Sequence, residues 1–145
     1  MKQVITKHFP WGGFKAMAVW PFIFIRGDKD FTESDLRHEE IHGEQQKEMA
    51  PIAVALVAVM AIVGCGWWSL LAIPLYYYMY GVCWLIELVR CAKDKERGQI
   101  NVAGYKRRNY IHRVEHSIIF EREAYAMQGD EWYLERRTSW AWVHF

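Results

Sequence analysis

Between Met49 and Ile86 the chain carries no Asp, Glu, Lys or Arg, an uncharged run of 38 residues. As helix, such a run is nearly twice the ~30 Å hydrocarbon core of a bilayer, so it suits two spans better than one. Gly64-Cys65-Gly66 is the natural turn, placing the spans near 50–65 and 68–89. Trp67, Trp68 and Tyr76-Tyr77-Tyr78 supply amphipathic rings of the kind that sit at membrane interfaces. Pro74 would kink the second span, a defect that membrane helices tolerate. A buried hairpin inside a soluble core is the competing arrangement. A chain of 145 residues offers too little other protein to cover two such helices all round. The length allows one domain, 1–145.

The flanks orient this hairpin. Arg90, Lys93, Lys95, Arg97, Lys106, Arg107 and Arg108 follow the second span, and the turn carries no charge. By the positive-inside rule, both termini and the segment before the hairpin face the cytoplasm. The start, Met1 to Pro10, has no long apolar stretch ending in a small-residue cleavage site, so no cleavable signal peptide is expected. Eighteen basic residues against seventeen acidic argue against a nucleic-acid partner, which asks for clear positive charge. Cys65, Cys83 and Cys91 are odd in number and lack CxxC spacing, so they read as reduced thiols rather than a disulfide frame or zinc knuckle.

The segment before the hairpin contains His38-Glu39-Glu40-Ile41-His42. On a helix, residues four apart lie one turn above each other on the same face. Two imidazoles so placed can share one Zn²⁺, and Glu39, beside the first of them, can reach a metal-bound water as general base. Thr32 and Ser34 are candidate N-caps, Glu33 and Asp35 complement the helix dipole, and the next proline is Pro51. Gln45 and Gln46, one turn further on, either orient neighbours or solvate the helix. Upstream, Val19 to Ile25 is β-branched and aromatic, which predicts an extended segment. Pro21 makes it an edge strand or irregular, and an edge strand beside a metal helix can bind an extended peptide.

An open catalytic zinc site takes three protein ligands, and no third histidine follows His42 closely. A distal carboxylate is therefore required. Val114 to Met127 reads as a helix stopped near Gly129, and it offers Glu121 and Glu123. They point about 200° apart on a helix, so only one can face the metal. His112-Arg113-Val114-Glu115-His116 also fits the inverted HxxEH pattern. That pattern draws its third ligand from well downstream, and only 29 residues follow His116. His116 is then a candidate hydrogen-bond donor to the transition state, with Tyr125 and Arg136 as others. The tail, Glu131 to Phe145, mixes Trp132, Tyr133, Trp140 and Trp142 with Arg136 and Arg137, as an amphipathic segment on a bilayer surface does.

HExxH, an apolar hairpin and then Glu121-Arg122-Glu123-Ala124 together resemble the membrane gluzincins, including the prenyl-protein (CAAX) protease and heat-shock membrane protease types. The resemblance implies Glu121 as third zinc ligand. Those families often carry Asp after the Ala, where this chain has Tyr125. Nearly the whole chain also resembles a group of small bacterial membrane proteins that pair a "HExIHxxQQ" helix with "FExEAY". What these likenesses imply is a mainly α protein with a minimal zincin-like helical core, a two-helix transmembrane hairpin and a short N-terminal extended segment. It would be integral to the bacterial cytoplasmic membrane and would hydrolyse peptide bonds of a peptide or membrane-protein substrate. Its metal would be Zn²⁺ on His38, His42 and Glu121, with Glu39, His116 and Tyr125 in catalysis. The alternative is a non-catalytic zinc-binding membrane adaptor on the same scaffold. Oligomeric state and substrate are not encoded in these motifs.

Overall fold

The computed structural model describes residues 1–96 and 107–145. The stretch 97–106, with Gly98, Gly104, Arg97 and Lys106, lies outside the described residues. Three strands come first: β1 (Lys2–Thr6), β2 (Ala16–Val19) and β3 (Phe22–Arg26), in the order β1-β3-β2. β1 runs parallel to β3, with Lys2 opposite Phe22, and β2 runs antiparallel, with Val19 opposite Phe22. Alternation divides the sheet's faces. Ile23 and Ile25 are buried with Ala16 against Phe31 and Leu36, while Phe24 meets the edge of Phe9 on the other face.

The expected extended segment 19–25 is therefore not one edge strand. It breaks at Trp20-Pro21, which form the two-residue link between β2 and β3, and Phe22–Arg26 is the central strand. Pro21 has no N–H to give a ladder, and a turn asks for none there. The edge facing the rest of the protein is β2.

Helix α1 (Glu33–Ile62) begins at Thr32, whose side chain accepts from Asp35 N while the Asp35 carboxylate accepts from Thr32 N. This reciprocal cap satisfies two of the orphan N–H groups at the helix start. The first half of α1 is packed into the protein and buries Ile41, His42, Gln45 and Met49; the second half is exposed on most sides. Gly43 lies under the Met1 side chain, whose Sδ occupies the space a β-carbon would take. Gly64 and Gly66 have φ of +87° and +54°, the left-handed backbone that the expected turn requires.

Beyond the turn, the expected helix 68–89 is not one element. A 3₁₀ segment, Gly66–Ala72, packs back on α1, and helix α2 (Leu75–Glu96) starts after Pro74. Tyr77 N and Tyr78 N donate to Pro74 O, so the proline opens a helix, where its missing N–H costs nothing. α1 alone among the described residues is long and apolar enough to cross a membrane; the 3₁₀ segment and α2 qualify only as a pair bent by 58°.

The expected single helix 114–127 is likewise two, α3 (Arg107–Ser117) and α4 (Ile119–Met127). Ile118 has extended backbone, and this break lets both Ile118 and Phe120 enter the core beside Met49 and Tyr76. The tail packs on the body with one face and leaves Trp132 and Val143 exposed on the other. Helix α5 (Tyr133–Arg136) and a 3₁₀ turn, Ala141–His144, fold onto the body, burying Tyr133 and Ala141, and Trp142 packs on Phe120 at 4.6 Å.

Candidate metal centre

The two histidines of α1 do what their spacing demands. His38 Nε2 and His42 Nε2 lie 3.1 Å apart. α4 delivers Glu121 to them, with its Oε2 3.2 Å from His38 Nε2 and its Oε1 3.3 Å from His42 Nε2. Donor atoms about 2.0–2.1 Å from one tetrahedral ion stand roughly 3.3 Å apart, so this spacing suits a shared cation. Among the described residues, His38, His42 and Glu121 are the group able to hold a metal ion.

The remaining atoms of the imidazoles set their tautomers. Gln45 is fully buried, and its amide N–H groups donate to Phe120 O at 3.0 Å and Glu123 Oε2 at 2.8 Å, both pure acceptors. Its Oε1 must then face His42 Nδ1, at 2.9 Å. A carbonyl oxygen only accepts, so Nδ1 carries the proton and the lone pair is on Nε2. His38 Nδ1 sits 3.1 Å from Gln128 Oε1 and is held the same way when that oxygen faces it. Such outer partners orient metal-binding imidazoles.

The fit to a cation can be tested on Glu121. Its Oε1 accepts from Tyr80 OH at 2.7 Å. Its Oε2 is buried and accepts no hydrogen bond, lying 3.2 Å from His38 Nε2. A buried carboxylate oxygen left without a donor is costly, and a cation between it and two imidazole lone pairs removes that cost. Two imidazoles and a carboxylate, without thiolate, form a donor set that zinc takes readily.

Glu123 does other work. It is fully buried and accepts from Gln45 Nε2, Tyr133 OH at 2.8 Å and the Arg137 guanidinium. Arg137 also pairs with Glu48, which in turn accepts from Trp140 N at 2.8 Å and Trp142 Nε1 at 3.0 Å. The tail is thereby tied to α1 and α4 behind His42. Of the two carboxylates on α4, Glu121 faces the histidines and Glu123 this network.

Glu39 lines the same cavity of about 530 Å³ as the three ligand candidates. Its Oε2 accepts from Ala18 N of β2 at 2.7 Å, which anchors the carboxylate. Burial pushes its carboxyl up, against the opposing pull of His42 and His38. At Glu121, burial is outweighed by His42 and His38, which hold the carboxyl well below the usual range. At His42 the Glu121 carboxylate likewise overcomes burial, and the metal-free imidazole is pushed up to about 9.

Other sequence candidates are distributed differently. Tyr125 reaches the cavity wall, its ring 4.7 Å from that of His38. His116 stacks on Tyr125 at 3.5 Å and lies 3.0 Å from His112 Nε2, and His112 rather than His116 reaches the cavity. Arg136 is largely exposed and pairs with Asp130, away from the cavity, so it is no donor there. The β2 edge is partly used internally. Ala18 O accepts from Gln46 Nε2 and Tyr77 OH, and Trp20 N donates to Gln46 Oε1. By strand alternation the peptide groups of Ala16 point the same way, and Ala16 borders the cavity.

Sequence reasoning missed the tyrosines of α2. Tyr76 OH donates to Gln45 Oε1 at 3.0 Å and lies 3.2 Å from His42 Nδ1, and Tyr80 orients Glu121. Their i, i+4 spacing, one helical face, was the available signal. No family model, curated protein or solved structure matches this chain.

Proposed function

We propose that the protein is a zinc-dependent hydrolase of peptide bonds that works at a lipid bilayer. The observation that carries this reading is the convergence of His38, His42 and Glu121 on one point of a cavity that Glu39 also lines. Zinc, when bound, supplies Lewis acidity and a water of lowered pKa. Glu39 is the base: its Oε2 is fixed by Ala18 N–H, and Oε1 has no hydrogen-bond partner among the described residues. It takes a proton from the attacking water and passes it to the leaving amine. In this reading Tyr125, whose ring lies on the cavity wall beside that of His38, is the donor to the developing oxyanion. His116 supports the Tyr125 ring by stacking. The peptide runs along the free part of the β2 edge, at Ala16. The apolar hairpin after Met49 holds this site at the membrane, and Arg90, Lys93 and Lys95 in the last turns of α2, with Arg107 and Arg108 at the start of α3, favour the cytoplasmic side by the positive-inside rule.

The test compares full-length wild type with Glu39→Gln, both zinc-loaded, on a pool of peptides and membrane-protein fragments. Glutamine keeps the acceptor for Ala18 N–H but cannot take the proton. Equal zinc with cleavage slowed by roughly 10²–10⁴ is the expected result. Equal rates at equal zinc would leave the metal site standing and remove the peptidase; the protein would then be the zinc-binding adaptor.

A further inference from the structure

Past Met49, which belongs to the core with Tyr76 and Phe120, helix α1 leaves the body of the protein. Val54, Val59, Ile62 and Val63 are each more than half exposed, and so are Trp67 and Trp68 on the returning 3₁₀ leg. The residues buried along the two legs are small: Ala53, Ser69 and Ala72. Ser69 spends its hydroxyl on Gly66 O at 2.8 Å, so the hairpin is apolar around its whole circumference. A protein interface has a polar rim and a hydrogen bond per 100–200 Å², which this surface does not offer; hydrocarbon asks for neither.

The dimensions decide how far it goes. From Ala50 to Ile62 α1 rises about 20 Å, whereas crossing the hydrocarbon core takes about 30 Å and some 20 residues. The returning 3₁₀ leg is shorter still, about 14 Å. Just past the end of that leg at Ala72, across Ile73 and Pro74, the chain bends by 58° into α2. Tyr76 is already back beside His42 and Gln45. Both roots of the hairpin are thus pinned at the level of the metal centre. α2 then shows an exposed apolar stripe, Tyr78, Val82, Leu85, Ile86 and Val89, while Tyr76, Tyr80, Cys83 and Trp84 face the core.

Resting on the reading that this surface meets lipid, we propose that the hairpin enters one leaflet and does not cross the membrane, while α2 lies in the interface. With α2 in the membrane plane, the 58° bend inclines the roughly 14 Å 3₁₀ leg so that its far end lies about 12 Å deep, against roughly 15 Å for one leaflet. The metal centre, at the hairpin's root, then stands at the level of the headgroups. Its substrates are peptide segments at the membrane surface rather than inside the hydrocarbon.

Cys65, half-buried at the tip, is a built-in probe. Full-length protein in sealed vesicles is treated with a charged, impermeant maleimide outside, or with the same reagent trapped inside, and Cys65 labelling is read by peptide mass spectrometry. Shielding from both sides is expected, at least about tenfold slower than with an uncharged permeant maleimide, and is lost on adding detergent. Labelling of Cys65 from the face opposite the rest of the chain would overturn the one-leaflet insertion while leaving membrane attachment intact. Labelling from the protein's own side, or protein that stays in solution, would overturn both. Cys65 that resists the reagent even in detergent would mean that protein covers the tip, and would overturn the proposal as well.

Discussion

Replacing Glu123 and Glu121 separately by glutamine separates the two jobs that α4 performs one turn-fraction apart. Glu123 is fully buried and takes its hydrogen bonds from Gln45, Tyr133 and Arg137. Glutamine at that position turns an N–H group toward one of these donors and leaves the Arg137 side chain, 5% exposed, with half of its counter-charge. Removing one partner of a buried pair costs about 3–5 kcal/mol, and because Glu48 still faces Arg137 the lower end, about 3 kcal/mol, applies. For a chain of this length that lowers the apparent Tm by about 10 °C. Zinc content should stay near that of wild type, because Glu123 points away from His38 and His42. Glu121→Gln should instead lose zinc: Tyr80 can still donate to the amide oxygen, but bound zinc falls after dialysis, and Tm falls only by what zinc and the Glu121–His42 pairing supplied. The assays are thermal unfolding in detergent and metal analysis of the same samples. If Glu123→Gln loses zinc at an unchanged Tm, the roles assigned to the two carboxylates are reversed and the reasoning fails.

Two further outcomes follow from the centre's surroundings. Gln45→Leu leaves the His42 Nδ1–H only the more distant Tyr76 hydroxyl at 3.2 Å and should weaken zinc binding by about 10–100-fold in a chelator competition; unchanged affinity would contradict the orienting role given to Gln45. In metal-stripped protein, the raised His42 pKa adds stability that is complete below about pH 6.5 and is lost as pH rises through about 9, whereas the depressed Glu121 adds stability that is lost as pH falls below the ordinary carboxylate range. Tm of the stripped protein should therefore fall between pH 6.5 and 9, and zinc, which binds the neutral imidazole, should flatten that limb; a Tm that climbs over this interval in stripped protein would contradict it.

What could be read from the sequence was local. Thr32 with Asp35 marks the start of α1, the i, i+4 histidines share a face because a helix puts them there, and Gly64 and Gly66 take the left-handed backbone that the turn needs. The third member of the group, Glu121, is one of two carboxylates the predicted helix offers, and only the resemblance to other families chooses it over Glu123, since nothing in the spacing ties residue 121 to residue 42. The misreadings share a cause. Tyr76 sits with Tyr77 and Tyr78 in an uncharged run, where tyrosine reads as an interface ring, yet it folds back onto His42, one turn before Tyr80, which the sequence reading does not single out, reaches Glu121. Ile118 breaks a helix without Gly or Pro, because burial of Ile118 and Phe120 sets the chain's path there. The burial of Arg137 within the tail is not legible either, because its partners Glu48 and Glu123 come from α1 and α4. Periodicity carries no information about such pairs.

The central claim is that His38, His42 and Glu121 hold one metal ion. Zinc X-ray absorption on full-length, zinc-loaded protein tests it most directly. The account predicts one zinc per chain, with the outer-shell scattering of two imidazoles and nitrogen or oxygen neighbours at about 2.0–2.2 Å. His42→Ala should reduce the imidazole signal. A sulfur neighbour at about 2.3 Å, or a spectrum without imidazole scattering, would place the metal elsewhere and contradict the account.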